Sequence, residues 1–399
     1  MAKSSKAPPD ILLVVMDDLW AGDLTAERTP NAWSLAVQSR VYTRTYSHPV
    51  CWHSRAALTW GVYGRHFSPP IIEAMGVTTG PEPAAGVPTA ASLLAATGYS
   101  TCLVGKWHRG RMPGAPSGPL AYLGAPQMRG YQDVRAMAAT NLRNWVPPWE
   151  RVDDFLISAD PVYATISQTQ AAIDWWALAA APRFLEVSLS APHPPPHVPP
   201  PELLGGYEPD PSLPPARKQY EKQVRSADWA LGQILSVVGS ETVVVLCSDN
   251  GAPFPPPGAP PGHGKATCYE FGVRVPLSIR SHFAPGPTNR LVHLVDVPAT
   301  ILALAGLPVP IGWDGKSLLG AERQSCLSEA VMDQDGHEVW DRAAMTKTHK
   351  LRQVNDVGDP DGAEELYDLV ADPNELAPLD VMDPAYASIL ATLRAVLAA

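Results

Sequence analysis

Four short apolar runs, each ending abruptly in residues that can do chemistry, limit what this chain can fold into. Ile11 to Met16 reads ILLVVM and stops at Asp17-Asp18. Ser100 to Val104 runs into Gly105-Lys106-Trp107-His108. Phe184 to Leu189 leads to Ala191-Pro192-His193-Pro194-Pro195, and Thr242 to Cys247 (TVVVLC) ends in Ser248-Asp249-Asn250-Gly251. A continuous apolar, partly β-branched run marks a strand buried on both faces. Around these runs lie stretches with the composition of helices: Thr29 to Val37, Ala90 to Thr97, Ala164 to Ala181 and Gln219 to Val238. Strands alternating with helices predict an α/β fold with a mostly parallel central sheet flanked by helices. In such sheets, sites form outside the carboxyl ends of the strands. Four chemically capable endings on one edge therefore define a candidate site.

The rest of the chain reads less regularly. Met112 to Pro148 is rich in Gly, Pro and Ala, and reads mostly as loop. After about Leu307 come short mixed segments, such as His349 to Val354 and Glu365 to Val370, before a terminal helix from Ala385 to Leu397. The expectation is a catalytic α/β domain over residues 1–307 and a smaller α+β subdomain over 308–399 packed on it. With 399 residues the chain can bury a large core, and 44 prolines imply many stiff loops. The net charge of −10 argues against a nucleic-acid partner. Five cysteines without CxxC spacing form neither a disulfide framework nor a zinc site. No segment has the length of a membrane span, and the N-terminal apolar run is too short for a signal peptide. The expected location is cytoplasmic, with no membrane association.

Asp17, Asp18, Asp249 and Asn250 are four oxygen donors at two strand ends. Such a set suits one hard divalent cation, calcium first and magnesium or manganese as alternatives, rather than zinc. Asp-Asp as a helix cap and Asp-Asn-Gly as a turn are the plain readings of each pair alone. The stretch from Ser47 to His66, SHPVCWHSRAALTWGVYGRH, adds a nucleophile. Cys51 lies where a helix is expected to begin, and N-terminal N–H groups and the dipole favour an anion there. Arg55, four residues on, falls on the same face. A buried structural cysteine is the plain alternative.

These motifs together resemble the type I sulfatase family of the alkaline phosphatase superfamily. Cys51, Ser54 and Arg55 match its Cys-x-Pro-Ser-Arg signature, with His53 in place of the proline. Gly105-Lys106-Trp107-His108, Pro192-His193-Pro194-Pro195 and Ser248-Asp249-Asn250-Gly251 match further motifs. Lys265, in a stretch continuing to Tyr269-Glu270-Phe271-Gly272-Val273-Arg274-Val275-Pro276, resembles the family's Lys-x-x-x-Tyr-Glu-Gly-Gly-x-Arg-Val-Pro. Thr29-Pro30-Asn31, His293 to Thr300, Leu366-Tyr367-Asp368-Leu369 and Asp372-Pro373 extend the similarity nearly end to end.

The resemblance implies a metal-dependent arylsulfatase-like sulfuric ester hydrolase. A formylglycine-generating enzyme would convert Cys51 to formylglycine, whose hydrate is the family's nucleophile and carries the covalent intermediate. It further implies that Asp17, Asp18, Asp249 and Asn250 hold the cation and that Asp249 takes the nucleophile's proton. Arg55 would steady the nucleophile, and Lys106 and Lys265 would bind the sulfate. His193 or Lys265 would protonate the leaving alcohol, and His108 would act as base for release. Two alternatives stand beside this. Cys51 kept as a thiolate, its pKa lowered by His53 and the helix N-terminus, would suit a phosphate or phosphonate ester hydrolase. A catalytically silent relative would bind anions only.

Overall fold

Strand β1 (Ile11–Met16) has no polar side chain to present, and the fold places it where none is needed, at 0–1% exposure in the middle of a sheet. The computed structural model describes residues 7–66, 72–73, 86–110, 119–142, 144–145, 147–334, 337–356 and 362–398. The strands after β1 are β2 (Arg40–Tyr46), β3 (Ile72–Glu73), β4 (Ser100–Lys106), β5 (Asp133–Ala138), β6 (Trp149–Asp153) and β7 (Leu156–Asp160). They continue as β8 (Arg183–Ser188), β9 (Val243–Ser248), β10 (Leu277–Arg280) and β11 (Gly286–His293). Last come β12 (Cys326–Gln334), β13 (His337–Met345), β14 (His349–Asp356) and β15 (Ala363–Asp368). The helices are α1 (Pro30–Val37), α2 (Cys51–Trp60), α3 (Ala90–Ala96), α4 (Ala164–Leu178), α5 (Pro215–Leu235), α6 (Glu270–Val273), α7 (Asp296–Leu304) and α8 (Ala387–Ala398).

Ten strands form the central sheet in the order β11-β2-β10-β9-β1-β8-β4-β5-β6-β7. β9, β1, β8, β4 and β5 run parallel, while β10 and the β6–β7 hairpin run against their neighbours. The period-2 alternation of side chains sends Leu12, Val14 and Met16 to one core with α1, α4 and α5. Ile11, Leu13 and Val15 go to the other, with residues of α3 and α7. All four strands expected from the apolar runs are present. β5 corrects the reading of Met112 to Pro148 as loop, since Asp133–Ala138 pairs in parallel with β4. Within that stretch, 112–118, 143 and 146 lie outside the described residues.

A second sheet, β15-β14-β13-β12-β3, is antiparallel except where Ile72–Glu73 joins β12 in parallel. One face packs on the central domain through Tyr46, Cys268, Val273 and Leu291. The other is covered by α8 through Leu390, Leu393 and Leu397. Among the described residues no helix is long and apolar enough to cross a membrane.

Candidate active site

Parallel registers bring the strand ends level. Met16 lies opposite Ser248, and both Val15 and Gly105 lie opposite Ser188, so the residues that follow share one edge. Gly105 has φ +90, and a Cβ there would stand 2.1 Å from the Ser188 carbonyl oxygen. Only glycine allows β4 to close on β8 just before Lys106.

Across this edge lies α2, all ten of whose residues are buried. Val50 is its N-cap and Cys51 its first residue. The Ser54 hydroxyl accepts from His48 N at 3.1 Å and donates to His48 O at 3.0 Å, folding the entering chain onto the first turn. Gly61, with φ +65, ends the helix.

Cys51 has 0% exposure. Its Sγ lies 3.3 Å from Asp17 Oδ1 and 3.5 Å from Asp18 Oδ1, and Lys265 Nζ approaches it to 3.0 Å. Lys265 also pairs with Asp18 Oδ1 at 2.7 Å, and Lys106 with Asp17 Oδ2 at 2.5 Å. Arg55 sends Nε to Asp249 Oδ2 at 2.8 Å, Nη1 to Lys106 O and Ser188 Oγ, and Nη2 toward Asp17 Oδ2 at 3.5 Å. Asp249 Oδ1 accepts from the backbone N–H of Asp18 and of Asn250. Asn250 Nδ2 donates to Asp18 Oδ1 at 2.7 Å. Ligand atoms of Asp17, Asp18, Cys51 and His193 all lie within 4.8 Å of one another. The expected four-oxygen set thus shares Asp17 and Asp18 with this cluster, while its third aspartate, Asp249, pairs with Arg55.

Burial pushes Asp17 up, yet Lys106, His193 and Arg55 more than offset it and hold the carboxyl below its ordinary range. Asp18 is likewise lowered, against burial, by Lys265 and His193. The Cys51 thiol is pushed well above its ordinary value by burial and by Asp17 and Asp249. The groups facing the sulfur are the Asp17 and Asp18 carboxylates and the Lys265 ammonium. His53 packs instead against His48 and Trp52.

His193 donates from Nδ1 to Pro194 O at 2.6 Å, which leaves Nε2 as the open nitrogen, 3.9 Å from Asp18 Oδ2. Burial, then Lys265 and Lys106, lower its pKa to about 4, so the ring is neutral at pH 7. His108 is 1% exposed, its Nδ1 has no hydrogen-bond partner, and burial followed by Lys106 and Arg55 lowers its pKa well below the usual value. All ten expected site residues therefore stand at this edge.

Sequence reasoning missed the residues that hold them. Ser188 receives Arg55, Tyr220 donates to Asp18 O at 2.8 Å, and Gln223 donates to His193 O at 3.1 Å. Each is a single polar residue far along the chain from its partner, and only the parallel register of β8 could have signalled Ser188.

Comparison with known proteins agrees with this architecture. Residues 9–307 match the family model described as Sulfatase. The chain is 31% identical over 346 residues to N-acetylgalactosamine-6-sulfatase of Mus musculus, covering 78% of this chain and 65% of that one. It is 31% identical over 368 residues to arylsulfatase A of Bos taurus, covering 79% and 68%. The chain thus spans about two thirds of the length of these relatives. The crystal structure of Ps i-CgsB in complex with k-i-k-neocarrahexaose superposes with a TM-score of 0.77 at 22% identity, covering 98% of this chain and 92% of that one. With its fold, its strand-end motifs and three quarters of its length matched, the chain belongs to the sulfatase family.

Proposed function

We propose that this protein hydrolyses the sulfate ester of a sugar, aryl or other small alcohol, with the nucleophile on residue 51 and a divalent cation held beside it. The observation that carries this reading is the closed ring of charge around Cys51. Asp17, Asp18 and Asp249 are balanced by Arg55, Lys106 and Lys265, so a divalent cation would leave the site positive toward an anionic ester.

The residues present fit such an ion. Asp18 Oδ2 and Asn250 Oδ1 are buried acceptors with no hydrogen-bond partner, an arrangement that is costly unless something else meets them. Asp17, Asp18, Asp249 and Asn250 would hold the cation, and an all-oxygen set favours calcium, with magnesium or manganese as alternatives. When bound, it would neutralise charge on the sulfate oxygens and orient the nucleophile.

The match of Cys51, Ser54 and Arg55 to the family signature supports conversion of Cys51 to formylglycine by a formylglycine-generating enzyme. The hydrate of that aldehyde would supply the attacking hydroxyl. Asp17 Oδ1 is the carboxylate oxygen nearest the Cys51 side-chain terminus and would take its proton. Lys106 and Lys265 stabilise charge on the transferring group. Lys265 protonates the leaving alcohol, since neutral His193 offers a lone pair and not a proton at Nε2. His108, neutral and unpartnered at Nδ1, serves as base for product release.

The test is turnover of an aryl sulfate and the matching aryl phosphate by protein co-produced with a formylglycine-generating enzyme. Mass spectrometry of the peptide containing Cys51 accompanies it. An aldehyde or its hydrate with preferential sulfate turnover is expected. An intact thiol with faster phosphate turnover would favour the phosphate ester hydrolase. Bound metal with no turnover of either would leave an anion-binding relative.

A further inference from the structure

Asp18 is one of the few non-glycine residues with a positive φ, at +70, and it is fully buried. This conformation is uncommon for an L side chain, though less costly for aspartate than for most, and here its surroundings hold it. Two hydrogen bonds act on its peptide groups. Its N–H donates to Asp249 Oδ1 at 3.0 Å, and its carbonyl accepts from the Tyr220 hydroxyl at 2.8 Å.

Tyr220 lies on α5 at 0% exposure, and burial raises its pKa well above the ordinary value, so the phenol stays a donor. Its hydroxyl also lies 3.0 Å from Asp23 Oδ2, so one proton is shared between two acceptors. Asp23 is in turn paired with Arg28 and with Arg217, whose guanidinium stacks over the Tyr220 ring at 5.0 Å. The hydroxyl is therefore fixed from behind by an ionic cluster that touches no ligand oxygen. Its one contact with the site is the Asp18 carbonyl.

We propose that Tyr220 is a positioning residue for the cation site, holding Asp18 in the left-handed conformation that aims its unpartnered Oδ2 inward. This rests on the cation reading given above. The physical reason is pre-organisation. Without the hydroxyl, Asp18 would relax toward an ordinary backbone conformation in the absence of metal, and binding would have to restore the rarer one.

Isothermal titration of Ca²⁺ into the folded protein tests this, comparing wild type, Tyr220→Phe and Asp228→Asn. Asp228 anchors the start of α1 through Asn31 N and Ala32 N and serves as the control for a merely structural loss from α5. The expected result is a Ca²⁺ Kd weakened by about 10- to 100-fold in Tyr220→Phe, the usual range for an outer-shell partner. In Asp228→Asn the Kd should stay unchanged, whatever the change in thermal midpoint. If Tyr220→Phe is incompletely folded, the titration is repeated in sucrose, which favours the compact state. Equal Kd values for wild type and Tyr220→Phe would overturn the positioning role alone. No binding of Ca²⁺, Mg²⁺ or Mn²⁺ by wild type would overturn the cation reading and this inference with it.

Discussion

Lys265 and His193 are the two site side chains that reach the surface, at 18% and 11% exposure. Their partners separate their roles, since Lys265 Nζ reaches Cys51 Sγ while His193 holds Pro194 O through Nδ1. If Lys265 is the acid, Lys265→Ala should slow hydrolysis of an alkyl or sugar sulfate by about 10²–10⁴-fold. It should slow 4-nitrophenyl sulfate much less, because nitrophenolate leaves without a proton. His193→Ala should change kcat less than Lys265→Ala on the poor leaving group. Comparing kcat for the two esters in each variant measures this, and equal losses on both esters with Lys265→Ala would remove it from the acid's role. The ten residues that the fold gathers at this edge were legible as candidates because each sits in a short motif at a strand end or around Cys51. Tyr220 was not, since one tyrosine within a 21-residue helix gives no sign that it reaches back 202 residues to Asp18 O.

Strands β1, β4, β8 and β9 were legible from unbroken apolar runs, because strands buried on both faces carry little else. β5 was not. Its sequence, DVRAMA, opens with Asp133 and Arg135 on the surface, and its neighbours in sequence are Gly- and Pro-rich. The β6–β7 hairpin was hidden for a similar reason, as Leu156 to Ala159 are exposed at the sheet edge. α5 begins at Pro215 rather than Gln219, because proline at the first helical position loses no hydrogen bond. At this scale the junction of β4 with β8 is the sensitive point. Gly105→Ala combines left-handed strain with a clash against Ser188 O, and should destabilise the protein by about 2–4 kcal/mol. It should also displace Lys106 from Asp17. Chemical denaturation would measure the first effect, and a cost below about 0.5 kcal/mol would show that the strands separate freely.

The two sheets are joined by a buried ionic knot. Lys350 of β14 lies 2.8 Å from both Glu270 of α6 and Glu375, and Glu375 also accepts from Glu270 N at 2.7 Å. Burial, opposed by Lys350, raises Glu375 from its ordinary 4.5 to about 7. A carboxyl raised on folding stabilises the protein most below pH 4.5, and that contribution is lost as pH rises through about 7. Glu375→Gln should therefore flatten the stability profile between pH 5 and 7 by up to about 1.4 kcal/mol per pH unit relative to wild type. Thermal midpoints of both proteins across that range check it, and parallel profiles would place the titration elsewhere. Cutting the chain after residue 307 would strip Tyr46, Cys268 and Val273 of their cover and leave Glu270 buried without its lysine. The fragment should aggregate or unfold at a temperature at least several degrees below the full chain, as read by calorimetry. The order of strands also sets a clock. Arg55 meets Asp249 across 194 residues of sequence, so the pocket around Cys51 cannot close until β9 has been made. At about 5–20 residues per second, a ribosome needs about 10–40 s to cover that distance. Modification of Cys51 by another enzyme would belong to that interval, since the residue has 0% exposure once the fold is complete.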